Sequence, residues 1–330
     1  MIRTRIIGTG SYLPERVVSN QEAASALGID PRRVLRLTGI KERHWAAPSE
    51  ATSDLAFKAA QQALQAATLP ASAIEAILLS TTSPDTAFPS TACHLQRKLG
   101  CGPVPAFDVA ASCSGFLYGL SMADAMIRSG QVGTCLVVAA EIKSRYLDPA
   151  DADTSILFGD GAGAIVVQRE REAGQLTRGV LGIRLCSDGS RHHLIRVASG
   201  GSRNPTSLAT VAMKDNTLRM QGGPLFRLAI RRLEQAIGEV LKEFGVELRD
   251  VAQVVLHQAN GRILAQLTKR LGISPTRVCS VIEGYGNTSS ASLPIALDHA
   301  VRAGRLQHEE LLLLGTFGGG LTWATGLIRW

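Results

Sequence analysis

The chain carries a second copy of itself, and that constrains its fold more than any single motif does. The helical pattern Leu55 to Leu64 returns as Leu228 to Ile237, 173 residues later. Leu95-Gln96-Arg97-Lys98-Leu99-Gly100 returns as Leu267-Thr268-Lys269-Arg270-Leu271-Gly272, 172 residues on. Asp124 with Ile127-Arg128-Ser129-Gly130 returns as Asp298 with Val301-Arg302-Ala303-Gly304, and Arg5-Ile6-Ile7-Gly8 has its counterpart in Gly179-Val180-Leu181-Gly182, both 174 residues on. Four blocks at nearly one spacing argue for duplication. A chain of 330 residues then divides into halves, expected at 1–170 and 171–330, each large enough for its own core.

Within each half, short apolar runs alternate with helical periodicity: Ala76 to Leu79, Cys135 to Val138, Val254 to Leu256 and Leu311 to Leu314 read as buried, largely parallel strands. The spacing predicts a helix over 225–244, entered through Pro224, with one apolar face and an outer face bearing Arg227, Arg231 and Arg232. Gly115 to Ile127 is apolar nearly all round, with Asp124 as its one charge, so that helix belongs inside the molecule. Residues 187–223 lack periodicity and read as loops beside a site. The expected class is α/β in two duplicated βαβαβ-type halves.

Composition removes several alternatives. At 45% apolar and 19% charged residues the chain is neither disordered nor a coiled coil. The segment Met1 to Gly8 has no continuous apolar core, and no run approaches the ~18 apolar residues of a membrane span, so a cytoplasmic address without membrane contact is expected. Net charge is +7, but aromatic residues are only 5% and no long basic block exists, which favours an acidic protein or anionic small molecule over nucleic acid. The six cysteines form no C-x-x-C pair and no zinc-type cluster; they read as reduced, with Cys93, Cys101, Cys135, Cys186 and Cys279 as small buried hydrophobes and no metal site. Gly8-Thr9-Gly10 and Gly159-Asp160-Gly161-Ala162-Gly163 lack the context of a phosphate loop and are expected to be tight turns.

The sixth cysteine differs. Cys113, in Ala111-Ser112-Cys113-Ser114-Gly115-Phe116, sits where a strand enters the buried helix, a position whose dipole favours a thiolate. Adding the repeat spacing of 174 to position 113 lands on Asn287, in Gly286-Asn287-Thr288-Ser289. His257 directly follows the strand Val254 to Leu256, at the strand end where α/β sheets place chemistry. Cys, His and Asn are thus expected to converge. Two chemistries use such a trio: a papain-like cysteine hydrolase, whose sequence context around the nucleophile is absent here, and thioester carbon–carbon bond formation.

Together, Ala111 to Phe116, His257-Gln258-Ala259-Asn260, Gly286 to Ser289 and Gly318-Gly319-Gly320-Leu321-Thr322-Trp323 resemble the β-ketoacyl-acyl carrier protein synthase III family, of the thiolase-like fold, across essentially the whole chain. The resemblance implies a layered αβαβα arrangement and acyl transfer from a starter thioester to Cys113. Condensation with malonyl-acyl carrier protein then initiates fatty acid synthesis, without cofactors. It implies backbone N–H groups of Cys113 and Gly319 as an oxyanion hole, and His257 and Asn287 as donors to the malonyl thioester. It further implies Phe88 beside the acyl pocket, and Arg227, Arg262, Lys269 and Arg270 docking the acidic carrier protein. The remaining implication is a homodimer; Arg32, which can meet a phosphate, Arg33, whose guanidinium can stack on adenine, and Asn260 are the candidates for a coenzyme A contact. Where the family has an adenine-stacking Trp flanked by two arginines, this chain has Arg33, Leu37 and Ala152. That departure leaves open a specialised starter, dicarboxylic or carrier-bound, for which Arg145 is a candidate partner. A catalytically silent binding protein is the remaining alternative.

Overall fold

A computed structural model describes residues 2–25, 27–171 and 178–330. Two five-stranded sheets form its frame. The first is built from β1 (Ile2–Tyr12), β2 (Ala76–Ser80), β3 (Ala106–Val109), β4 (Thr134–Glu141) and β5 (Gly161–Arg171), in the order β1-β5-β4-β2-β3. The second uses β6 (Gly179–Ser187), β7 (Val251–Leu256), β8 (Val278–Cys279), β9 (Leu311–Gly318) and β10 (Thr322–Arg329), in the order β6-β10-β9-β7-β8. The second order is the first with every strand advanced by five. The duplication read from sequence is therefore a duplication of topology.

The strands are mixed, not largely parallel as expected. In each sheet two pairings are parallel (β2 with β3 and β4; β7 with β8 and β9) and two antiparallel. A strand buried on both faces has the same continuous apolar run in either direction, so the sequence carries no signal for its sense.

Helices α1 (Thr52–Ala67), α2 (Thr91–Leu99) and α3 (Gly115–Arg128) belong to the first half; α4 (Gly222–Glu243), α5 (Gly261–Leu271) and α6 (Ser292–Arg302) are their counterparts. Alternate residues of each strand face opposite layers. Leu78, Val137 and Ile165 of the first sheet, with Leu312 and Leu314 of the second, close on α3 and α6 in the centre. Ile77, Leu79, Leu136 and Val138 turn outward under α1 and α2, whereas Val254, Leu256, Leu311 and Leu313 lie under α4 and α5. The layering is αβαβα. Each Leu or Ile sealed between layers contributes about 1.5–3 kcal/mol, and α3 is central because Phe116, Leu117, Leu120, Ala123 and Ile127 are all fully buried.

The twin aspartates tie the central helices down. Asp298 accepts from Thr9 Oγ1 (2.7 Å), Ser11 Oγ (2.6 Å) and Arg302 Nε (2.9 Å), and Asp124 meets Arg128 one turn on. Burial raises the Asp124 carboxyl above its ordinary range. Gly8 and Gly10 lie inside β1, and a Cβ at Gly10 would stand 2.4 Å from the Ala59 carbonyl of α1. They allow a close helix–sheet approach and are not the tight turns expected; Gly161 and Gly163 likewise lie within β5.

Three further expectations are qualified. The junction proposed between residues 170 and 171 falls at the end of β5, beside residues 172–177, which lie outside the described residues. Residues 187–223 contain structure of their own, including the antiparallel pair Ile195–Val197 and Leu218–Met220 and a one-turn helix Leu208–Ala212. All six cysteines are free thiols, but Cys93 is exposed and Cys101 and Cys186 are half-buried, so only Cys135 and Cys279 fit the buried role. No helix among the described residues is long and apolar enough to cross a membrane.

Candidate active site

Cys113 lies in a 3-10 turn, Ser112–Ser114, that runs directly into α3. Its counterpart is the 3-10 turn Ser289–Ala291 ahead of α6, and the two turns pack against each other at the centre of the molecule. Ser112 (φ 47°) and Ser289 (φ 53°) both occupy the left-handed region, a conformation that costs a non-glycine residue on the order of 1–3 kcal/mol and recurs at functional turns. The residue structurally equivalent to Cys113 is thus Ser290, not Asn287. α3 has 14 residues and α6 has 11, so a spacing of 174 that holds at the helix ends has become 177 at their starts. Asn287 lies just before the equivalent turn, close enough to share its cavity.

That cavity, of about 580 Å³, is lined by Cys113, His257, Asn287, Phe317, Gly318 and Gly319 among others. Its volume is in the range that accepts a small organic ligand. Cys113, His257 and Asn287 are 8%, 5% and 5% exposed, so water has little access to the three.

Asn287 is fixed at both ends. Its backbone N–H donates to Leu157 O (2.8 Å) and its Oδ1 accepts from the Ser289 N–H (2.9 Å), so its Nδ2 group is the end left to act as donor. For His257, Nδ1 lies 2.5 Å from Ser292 Oγ, which also accepts from the Gln258 backbone N–H (3.1 Å). Ser292 Oγ either donates its hydrogen to Nδ1 or accepts a second one from it; in the first tautomer Nδ1 is the ring's acceptor and Nε2 carries the proton. Burial lowers the His257 pKa to about 3, so the imidazole is neutral across the physiological range, and in that tautomer it donates through Nε2 alone.

The Cys113 thiol is pushed up chiefly by burial, with the Glu141 charge adding to the rise and the Lys143 charge opposing it. This corrects the expectation of a thiolate at a helix N-terminus: the sulfur is enclosed, and the resting species is the thiol. Its hydrogen-bond partner is Ser289 Oγ at 3.5 Å. The papain-like reading also fails here. A hydrolase triad needs His on the thiol and Asn on His, whereas His257 is held by Ser292 and Asn287 by Ser289.

The remaining expected residues divide. Arg33, Leu37, Ala152, Arg227 and Arg262 all line the same cavity, and Arg33, Arg227 and Arg262 are exposed at its mouth. Arg262 stacks over Phe226, 5.7 Å from the ring centre. Arg270 lies in an adjoining basic groove with Arg227 and Arg231 but is paired with Glu234 at 2.6 Å, and Lys269 is exposed on α5 outside both hollows. Arg32 points to solvent against Asp30 and does not line the cavity. Asn260 borders it, yet its amide is occupied as the N-cap of α5, accepting from Arg262 N at 2.8 Å and donating to Leu37 O at 3.2 Å. Phe88 is 89% exposed and takes no part in the wall; it occupies an outward loop within one chain. Arg145 is an anchor for the carbonyls of Ala47, Pro48 and Glu50, not a cavity residue. Sequence reasoning missed Asp153, a carboxylate among the mouth arginines, and Ser289, Ser292, Glu141 and Lys143 behind the trio. Among the described residues no group of three or more His, Cys, Asp or Glu converges that could hold a metal ion.

Comparison with known proteins bears on this geometry. Residues 107–189 match the model of 3-oxoacyl-[acyl-carrier-protein (ACP)] synthase III, and residues 241–330 that of its C-terminal part. The chain is 46% identical to a β-ketoacyl-[acyl-carrier-protein] synthase III of Rhodospirillum rubrum, with all of both chains covered. Its structure is similar to that of 3-oxoacyl-[acyl-carrier-protein] synthase III from Aquifex aeolicus, with TM-score 0.89, 38% identity and 99% and 100% of the two chains covered. It is also similar to the priming β-ketosynthase of the R1128 polyketide pathway, with TM-score 0.91, 32% identity and 99% and 96% covered.

Proposed function

The chain belongs to the β-ketoacyl-acyl carrier protein synthase III family of condensing acyltransferases, and we propose that Cys113 carries the acyl group through its reaction. The enzyme transfers an acyl group from a starter thioester and condenses it with malonyl-acyl carrier protein in fatty acid biosynthesis. What supports this assignment of residues is the one cavity shared by a buried thiol and two fixed hydrogen-bond donors, Cys113, His257 and Asn287.

In the first step Cys113 Sγ bonds to the starter carbonyl carbon, the bond from that carbon to the carrier sulfur breaks, and the proton given up by the Cys113 thiol ends on the departing carrier sulfur. The carbonyl oxygen gains charge opposite the N–H groups of Cys113 and Gly319, which need no reorganisation to receive it. Close approach of β9 to the Cys113 turn depends on glycine: a Cβ at Gly318 would lie 2.7 Å from the Cys113 nitrogen. In the second step the malonyl thioester carbonyl accepts from His257 Nε2–H and Asn287 Nδ2–H. Carbon dioxide departs, its bonding electrons pass to the enolate those donors stabilise, and the enolate carbon attacks the acyl-Cys113 carbonyl. Cys113 is expelled as its thiolate as the β-ketoacyl product forms, and it takes up one proton from solvent to restore the resting thiol. Decarboxylation itself supplies the electron pair for the new bond, so the scheme calls for no redox or metal cofactor.

In this scheme residues 1–170 are the half bearing the nucleophile and 171–330 the half bearing His257 and Asn287. Arg227 and Arg262 at the mouth, with Lys269 and Arg270 beyond it, form the docking face for the acidic carrier protein. The protein acts as a cytoplasmic homodimer. Phe88, 89% exposed in one chain, is a costly side chain to leave in water, and it can serve as an acyl-pocket wall only by entering a second copy.

The mouth favours a second reading of the starter. At the three positions where the family's adenine clamp stands, Arg33, Leu37 and Ala152 supply one guanidinium and no aromatic ring, and the stacked pair Arg262 and Phe226 belongs to other elements of the mouth; this favours a specialised or carrier-bound acyl group over acetyl-coenzyme A. Incubating the enzyme with a panel of acyl-coenzyme A and acyl-carrier donors, followed by intact mass, separates the two. A Cys113 adduct from acetyl-coenzyme A at rates matching the other donors supports initiation with the ordinary starter. Loading from carrier-bound or dicarboxylic donors alone rejects it.

A further inference from the structure

Behind Cys113 lies a buried ion pair that the condensation scheme does not use. Glu141, the last residue of β4, is fully buried, and Lys143 has 9% of its side chain exposed, with Nζ 3.0 Å from Glu141 Oε2. Two buried charges are retained at a cost unless their hydrogen bonds are satisfied, and here they are. The carboxylate accepts from Ser83 Oγ (2.6 Å), Ser290 Oγ (2.9 Å), Ser289 Oγ (3.1 Å) and the Thr82 N–H (3.1 Å), and Lys143 also donates to Thr82 Oγ1. Burial works against the Glu141 charge, but Lys143, Ser83 and Thr82 outweigh it and hold the carboxyl below its ordinary range. It is therefore an acceptor only.

Ser289 connects this pair to the sulfur. Its Oγ stands 3.1 Å from Glu141 Oε1 and 3.5 Å from Cys113 Sγ. A hydroxyl has one hydrogen. The carboxylate can only accept, so the Ser289 hydrogen goes to Glu141, and its lone pair is what faces Cys113. The thiol hydrogen then has an acceptor waiting, whereas a thiolate would have none until Ser289 turned its hydrogen away from Glu141. The other titratable group lining the cavity wall is His257, which is neutral; the exposed charges Arg33, Asp153, Arg227 and Arg262 stand at the mouth.

We propose that Glu141, balanced by Lys143, is a positioning residue that acts through Ser289 to keep the Cys113 sulfur protonated in the free enzyme, its hydrogen aimed at Ser289. The pair guards the nucleophile against electrophiles other than a bound thioester. This rests on Cys113 being the acyl-carrying residue, but the test reads the free thiol and not acyl transfer, so either idea can fail without the other.

The test is the pH profile of Cys113 alkylation by iodoacetamide, read on the Cys113 peptide by mass because Cys93 is exposed and reacts too. Glu141→Gln removes the anion and should move the profile at least about one pH unit lower, a tenfold gain in thiolate at a given pH below the midpoint. Ser289→Ala leaves the ion pair in place, removes the acceptor and should shift the profile in the same direction by less. If Glu141→Gln does not fold, Ser289→Ala decides alone. A Glu141→Gln profile that stays in place or moves to higher pH overturns the proposal. So does a Ser289→Ala profile that is unmoved or shifts higher, which would mean that Ser289 donates to the sulfur.

Discussion

Replacing His257 by alanine, or Asn287 by aspartate, should lower condensation with malonyl-acyl carrier protein by about 10²- to 10³-fold, the usual cost of one preorganised donor to a developing oxyanion. Acylation of Cys113 should change by less than about tenfold, because neither group faces the starter carbonyl in the scheme. Asn287→Asp is the sharper of the two. Its Oδ1 can still accept from the Ser289 N–H, so the turn keeps its anchor, but a carboxylate has no hydrogen to offer and repels an enolate. His257 adds a constraint on pH: with its pKa lowered to about 3 by burial, its titration should be invisible in the condensation rate between about pH 5 and 8. Loading is read by intact mass and condensation by product formation, in single-turnover experiments. An equal loss in both steps would remove these two side chains from the enolate role.

Substituting Gly318 by alanine should lower both steps by at least about 10²-fold. A Cβ there would stand 2.7 Å from the Cys113 nitrogen, 3.0 Å from its Cβ and 3.2 Å from its Cα, and two of those three atoms are backbone, which cannot swing away. The turn carrying the sulfur must shift, and misplacement of about 1 Å at a reacting atom is enough for a loss of that size. Gly319→Ala is the control. Its Cβ would meet Ile195 Cγ2 and Ser112 Oγ, each at 3.0 Å, and both are side-chain ends able to give by a few tenths of an ångström. It should cost less than about tenfold. Equal activity of Gly318→Ala and wild type would mean that the spacing between β9 and the Cys113 turn does not govern the reaction.

Much of the site was legible because the chain is duplicated. A repeat brings equivalent junctions face to face, and its spacing of 174 pairs Cys113 with Asn287, three residues short of the true counterpart Ser290 but in the same cavity. His257 was legible as the polar residue ending an apolar strand. The spacing erred by three residues at the helix starts, since α3 and α6 differ in length and a repeat measured at helix ends cannot register that. Ser289 and Ser292 were not legible. They sit in a serine-rich turn where every position has the same local explanation, and only the third dimension shows which hydroxyl faces the thiol and which the imidazole. Glu141 did leave a signal that went unread: a carboxylate closing the apolar run Cys135 to Ala140, at the strand end where α/β sheets place their chemistry. Phe88 is legible as apolar, but no single chain can say what covers it.

In the proposed scheme one thiol, Cys113, carries the acyl group between two half-reactions. The direct measurement is a pulse and chase on the wild-type enzyme: load with the donor that labels it, remove the excess, add malonyl-acyl carrier protein, and follow the Cys113 peptide and the carrier product together by mass. The acyl mass should reside on Cys113 and decay at the rate at which β-ketoacyl carrier appears. Label on another residue, or product forming while the Cys113 adduct persists unchanged, would contradict the account.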